Sequence, residues 1–143
     1  MNALAGIRLA RRRHIREIDA IARHPACRGW TRGPNGEEFS AHAWMQAGAS
    51  FYLFTGGWLC AAPRNETEVD LHMAALPGFR GPNALADGWR VVEYLLDPGS
   101  PFVRAFARVD RHNRAVRSIL TAAGFRQIST AGNACEYVME RTA

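Results

Sequence analysis

Three titratable side chains alternate along one short segment near the middle of the chain. Glu68, Asp70 and His72 are separated by apolar residues, and a period of two is typical of a strand with one polar and one apolar face. An imidazole with an ordinary pKa of about 6.5 can accept a proton at neutral pH, so His72 is a candidate general base. A surface histidine fits the same pattern, and for Glu68 and Asp70 a substrate-facing or solvated position is favoured.

The segment directly after this strand could bind an anion. Residues 77–84 have the sequence PGFRGPNA, and an amphipathic helix follows. A glycine-containing turn that opens a helix leaves backbone N–H groups unpaired, and the helix dipole adds positive potential at the same place. Arg80 would add a charge-assisted contact, so a pyrophosphate is the expected ligand. An ordinary strand-to-helix loop has the same sequence features.

The elements that must position these groups follow from hydrophobic periodicity and from glycine and proline signals. The pattern predicts strands at 6–10, 50–54, 58–62, 68–76, 103–109, 126–130 and 136–140, and helices at 11–23, 37–47, from 82 onward and at 113–123. Tight turns at 56–57 and 132–133 join strands directly, whereas helices connect others, so strand directions must be mixed. We therefore expect one α/β domain over residues 1–143.

Composition and charge exclude several classes of protein. With 48% hydrophobic and 22% charged residues the chain is of globular type. No apolar run approaches the roughly 20 residues of a membrane span, and no signal segment is evident, so a cytoplasmic protein without membrane contact is expected. The three cysteines and five histidines lack the spacing of disulfide frameworks or metal sites, which predicts no bound metal.

All 18 basic residues are arginine, and the net charge is +5. The arginine cluster at 8–16 lies on a predicted amphipathic helix, so a solvated helix face is favoured over a nucleic-acid contact. Trp30, Trp44 and Trp58 could line a substrate pocket, but packing in the core and the hairpin is the favoured interpretation.

Two motifs in register resemble the GNAT family of acetyl-coenzyme A dependent N-acyltransferases. That family has a strand-loop-helix of the form V-x-P-x-x-R-G-x-G-x-G/A, which this chain matches at Ala75, Pro77, Arg80 and Gly81. A later family element, V-x-x-x-N-x-x-A-(x)7-G-F, is matched at Val109, Asn113, Gly124 and Phe125. The order of elements agrees along essentially the whole chain. The resemblance implies a mixed, mostly antiparallel sheet of about seven strands with about four helices, splayed between the fourth and fifth strands.

The resemblance also implies where acetyl-CoA would bind. The backbone of Met73 and Ala75 would pair with the pantetheine arm, and Asn113 would contact the same arm. The pyrophosphate would lie beside Arg80, on the backbone amides of Gly81, Asn83, Ala84 and Leu85. The chain departs from the family at Pro82, which has no N–H. Asn83 and Leu85 stand where small residues are usual, a form similar to that of some short members, including ones encoded by phages.

The implied function is transfer of an acetyl or other acyl group from acetyl-CoA directly to an amine on a small molecule or a protein. His72 would take the proton of the amine, with Glu68 and Asp70 beside it, and a homodimer is compatible with the sequence. Leu120 stands where many members have a tyrosine that protonates the leaving thiolate. Leu120 and Pro82 favour the alternative, a weakly active or inactive GNAT-like module that binds a protein or nucleic acid.

Overall fold

The computed structural model describes residues 4–141, in which helices cover both faces of one sheet. The strands are β1 (Arg8–Leu9), β2 (Ser50–Phe54), β3 (Gly57–Pro63), β4 (Glu68–Ala75), β5 (Arg104–Asp110), β6 (Arg126–Ala131) and β7 (Ala134–Glu140). The helices are α1 (Ile15–Arg23), α2 (Ala41–Gln46), α3 (Pro82–Leu95) and α4 (Arg114–Ala122), and a short 3-10 turn at Arg12–His14 precedes α1. No helix within the described range is long and apolar enough to cross a bilayer.

The seven strands lie in the order β1-β2-β3-β4-β5-β7-β6. Strands β4 and β5 run parallel, and the other neighbouring pairs are antiparallel. The parallel pair arises because α3 carries the chain across the sheet, whereas short turns join the hairpins. This topology confirms the predicted mixed, mostly antiparallel α/β fold with seven strands and four helices.

The hydrophobic core consists of two clusters, one on each face of the sheet. On one face, Val69 and Leu71 of β4 pack in the same cluster as Val91 and Leu95 of α3. On the other face, buried residues of α1 and of the start of α2 pack against β2 and β3. Strand β4 therefore contributes alternate side chains to both layers, and this places its polar positions on the α1–α2 face.

Helix α2 begins four residues later than the sequence pattern predicts. Ser40 caps it, its Oγ accepting a hydrogen bond from the Ala43 N–H at 3.2 Å. Glu37, predicted to be in the first helical turn, instead accepts a hydrogen bond from the Asn35 N–H at 2.8 Å and closes a turn. Acidic residues favour helix starts and turns alike, so composition could not separate the two.

The buried stripe of α3 includes Ala84, Gly88, Val91, Val92 and Leu95. Gly88 in the middle of this stripe faces β4, and a Cβ there would lie 3.4 Å from the Sδ of Met73, an ordinary contact distance. Leu85 lies off this stripe and is 36% exposed. The first turn of α3 thus presents an apolar side chain beside its free backbone groups.

Candidate active site

Strands β4 and β5 pair along only part of their length. The register runs from Glu68 opposite Arg104 to Leu71 opposite Ala107 and then stops. Strand β4 stays paired with β3 as far as Ala75, and β5 stays paired with β7 to its end. The sheet is therefore open between β4 and β5 beyond this point, as the fold prediction requires.

The open edge of β4 presents backbone groups. The Leu76 N–H, just after β4, donates to the carbonyl of Gly56 at 2.8 Å. In an antiparallel pair, every second residue bonds to the same neighbour, so residues at even steps back from Leu76 bond to β3. Met73 and Ala75 therefore direct their N–H and C=O groups toward β5, into the opening.

The start of α3 lies at the end of this opening. Gly81 is the N-cap and makes no side-chain capping bond, and Pro82 is the first helical residue. The Leu85 N–H donates to the Gly81 carbonyl at 3.3 Å. Within the described range, the N–H groups of Gly81, Asn83 and Ala84 have no acceptor. Three of the four amides predicted for a pyrophosphate site are therefore available to an anion.

A groove of about 760 Å³ follows the outer side of this helix start. It is lined by the turn before α3, by the first turns of α3 and by Thr55 of the β2–β3 turn. The Phe79 ring packs so closely on Gly56 that a Cβ there would lie 2.2 Å from the ring. This contact fixes the turn against the hairpin and leaves the helix start accessible.

Arg80 makes more contacts within the protein than the sequence suggested. Its Nε donates to the Ala75 carbonyl at 2.8 Å, and its Nη2 donates to the Ala26 carbonyl at 3.1 Å. The Cys27 Sγ donates to the same Ala75 carbonyl at 3.3 Å. Arg80 thereby fastens the loop after α1 to the end of β4 and occupies one of the carbonyls predicted for pantetheine. Its Nη1 has no hydrogen-bond partner among residues 4–141.

Apolar side chains border the opening on several sides. Met73 of β4 is 40% exposed and Phe79 of the turn 43% exposed, although both are large hydrophobic residues. Leu85 of α3 and Val116 of α4 are each 36% exposed. A flexible ligand with an apolar stem could cover these surfaces while its polar groups reach the backbone of β4.

Asn113 lies three residues beyond the end of β5, where it caps α4. Its Oδ1 accepts a hydrogen bond from the Val116 N–H at 3.3 Å, so the amide nitrogen of the same side chain is free to donate to a ligand. Leu120 packs against the core cluster under α3.

His72 is the first β4 residue beyond the last pair with β5. It lies opposite Cys60 of β3, on the face covered by α1 and α2. The indole of Trp44 covers it, with ring centroids 4.8 Å apart and planes inclined by 44°. Although His72 as a residue is exposed, packing around its ring lowers the pKa of the imidazole below its ordinary value, and the negative charge of Asp70 opposes this shift. Neither ring nitrogen has a hydrogen-bond partner within the described residues, so the neutral imidazole can accept a proton.

The two neighbouring carboxylates are engaged in ion pairs that the sequence did not indicate. Asp70 binds Arg64 at 2.6 Å, and that guanidinium stacks on the Phe106 ring at 3.7 Å from its centre. Glu68 accepts hydrogen bonds from Asn65 at 2.7 Å and from Arg104 at 3.2 Å. The pKa of Glu68 is lowered, first by the Asn65 hydrogen bond. Of the three predicted catalytic side chains, His72 is the one left without a charged partner at the opening.

Comparison with solved structures shows which fold this arrangement belongs to. A mutant of SpeG, a spermidine N-acetyltransferase from Vibrio cholerae, is similar with a TM-score of 0.74 at 10% identity, over 94% of this chain and 92% of that chain. A GNAT-family acetyltransferase from Bacillus anthracis gives 0.70 at 12% identity, over 94% and 93%. Campylobacter jejuni PseH, an N-acetyltransferase in complex with acetyl coenzyme A, gives 0.67 at 10% identity, over 95% and 99%. No protein-family model and no curated protein matches the sequence.

Proposed function

Because the chain has the fold of the GNAT acetyltransferases, we propose that it transfers an acetyl group from acetyl-CoA to an amine. The observation that carries this proposal is the end of β4–β5 pairing at Leu71 and Ala107, beside a helix start with free amides. Strands in one sheet normally stay paired, because an unpaired backbone edge leaves polar groups without partners. A ligand with its own amide groups would satisfy this edge.

The polar and apolar groups around the opening fit coenzyme A. The amides of Gly81, Asn83 and Ala84 supply donors for a pyrophosphate, and the free Nη1 of Arg80 adds a charged donor. The backbone of Met73, the Ala75 N–H and the Asn113 side-chain amide would bind the pantetheine arm. The apolar rim would cover its methylene groups.

Acetyl-CoA supplies a thioester, whose carbonyl carbon an amine can attack with loss of the thiol. His72 would accept the proton released by the amine, and its lowered pKa keeps it in the neutral form that this step needs. Asp70 and Glu68, held by arginines, would shape the acceptor side without taking the proton. Leu120 has no proton to give, so water would protonate the departing thiolate. No covalent enzyme intermediate is required.

The acceptor is an amine on a small molecule or on a protein. Spermidine is the first amine to test, since SpeG, a protein of similar fold, is a spermidine N-acetyltransferase. We place the reaction in the cytoplasm, where the free thiols of Cys27, Cys60 and Cys135 would stay reduced.

Thermal unfolding with and without coenzyme A tests the binding site before any acceptor is known. Ligand at 100 times its Kd should stabilise the fold by about 2.7 kcal/mol. Thiol release from acetyl-CoA with a panel of amines then tests turnover, using His72→Gln against the exposed control His42→Gln. Binding without turnover on any amine would favour the non-catalytic module, and the absence of a thermal shift would refute the coenzyme site.

A further inference from the structure

The only aromatic ring in contact with the His72 ring, among the described residues, belongs to Trp44. Its centroid lies 4.8 Å from that of the imidazole, at an angle that brings the indole over one face of the ring. Trp44 comes from α2, a six-residue helix far from β4 in sequence. One side of His72 is therefore screened by an element that carries none of the motif residues.

One hydrogen bond ties the indole to a second segment of the chain. Trp44 Nε1 donates to the Arg32 carbonyl at 2.8 Å. The residue before Arg32 is Thr31, which is buried and donates to the carbonyls of Ala22 at 2.9 Å and Cys27 at 3.3 Å. The turn that accepts the indole bond is thus tied to the end of α1, and the indole cannot rotate away without breaking a hydrogen bond.

We propose that Trp44 is a positioning residue for His72, an inference that rests on the proposed acetyl transfer. Its anchored indole presses the imidazole against β4 at the opening and keeps water from one of its faces. The indole thereby restricts rotation of the imidazole, which stays beside the opening between β4 and β5.

The charges around His72 largely cancel one another. Asp70 on the same strand is the charged group that acts on His72, and Arg64 neutralises it. Cys60 faces His72 from β3, and burial raises the pKa of its thiol, which therefore stays uncharged. Arg108, one residue beyond the last β5 pair, is paired with Glu136. His72 as a residue is exposed, so water is excluded chiefly from the ring face that Trp44 covers, and this packing disfavours the charged imidazole.

NMR titration of the His72 ring protons in the full-length protein tests this role. In Trp44→Ala the pKa of His72 should rise toward its ordinary value of 6.5. In Trp44→Phe, which keeps a ring but loses the anchoring N–H, it should rise by less. Trp30→Ala, at a 65% exposed tryptophan, is the control and should leave the His72 pKa unchanged.

The pH profile of kcat/KM separates positioning from a merely structural effect. Loss of the indole should move the acidic limb upward by the same amount as the NMR shift, so activity falls more at pH 6 than at pH 8. An equal loss at every pH, or an unchanged His72 pKa in both Trp44 variants, would overturn the inference. An NMR shift without turnover on any amine would instead overturn the proposed acetyl transfer, because the titration needs no co-substrate.

Discussion

Pro82 offers a quantitative test of the anion site. It is the first residue of α3, and the amides of Gly81, Asn83 and Ala84 around it have no acceptor among residues 4–141. Pro82→Ala adds one N–H to this set without adding bulk. A hydrogen bond to a charged acceptor contributes roughly 1.5–3 kcal/mol. Because about 1.4 kcal/mol corresponds to a tenfold change in affinity, the Kd for coenzyme A should fall about tenfold or more.

Pro82→Ala should strengthen coenzyme A binding but lower the stability of the fold. Alanine leaves the unfolded chain freer than proline does, so the free energy of unfolding should fall by about 0.4–1 kcal/mol. Urea unfolding measures this loss separately from ligand affinity.

Isothermal titration calorimetry with two ligands shows which part of coenzyme A accounts for the increase in affinity. Coenzyme A should bind Pro82→Ala more tightly than it binds the wild-type protein, whereas pantetheine, which lacks the diphosphate, should bind both equally. An unchanged Kd for coenzyme A, or an equal gain for pantetheine, would show that the helix start does not bind the diphosphate.

The remaining predictions concern the base, the packing of α3 and the cysteines. His72→Gln should lower kcat by roughly 10²–10⁴-fold and leave the thermal shift with coenzyme A unchanged. In the wild-type protein, the acidic limb of the pH profile of kcat/KM should lie below pH 6.5, because packing around the ring lowers the His72 pKa. Loss of coenzyme binding in the variant, or an acidic limb above pH 6.5, would contradict this role. Gly88→Ala should raise the free energy of unfolding by about 0.5–1 kcal/mol, because alanine favours the helix more than glycine does and its Cβ would lie at an ordinary contact distance of 3.4 Å from Met73. Urea unfolding measures this change, and a lower free energy of unfolding would mean that the added methyl group displaces the helix. Ellman's reagent should label none of the buried Cys27, Cys60 and Cys135 within minutes in the native protein, but all three in denaturant; a fast native thiol would contradict that burial.

Most of the strands and helices, and the turn that opens the candidate binding site, could be predicted from the sequence. Alternation along residues 68–73 predicted β4 and its polar face, and the turn at 77–81 before Pro82 predicted the helix start. These signals are local, because period and turn chemistry depend on neighbours in the chain. The separation of β4 from β5 was also predicted, because two motifs resemble those of a family in which these strands part.

The side chains that surround the candidate base could not be predicted in this way, because they come from distant parts of the chain. Trp44 and His72 are 28 positions apart and lie on different elements, and packing of the core was the favoured interpretation for the tryptophan. The arginines that engage Asp70 and Glu68, and the backbone carbonyls that occupy Arg80, come from strand register and loop docking. Such contacts depend on how layers pack across the sheet, and a one-dimensional pattern carries the period of each element but not its partner across the core.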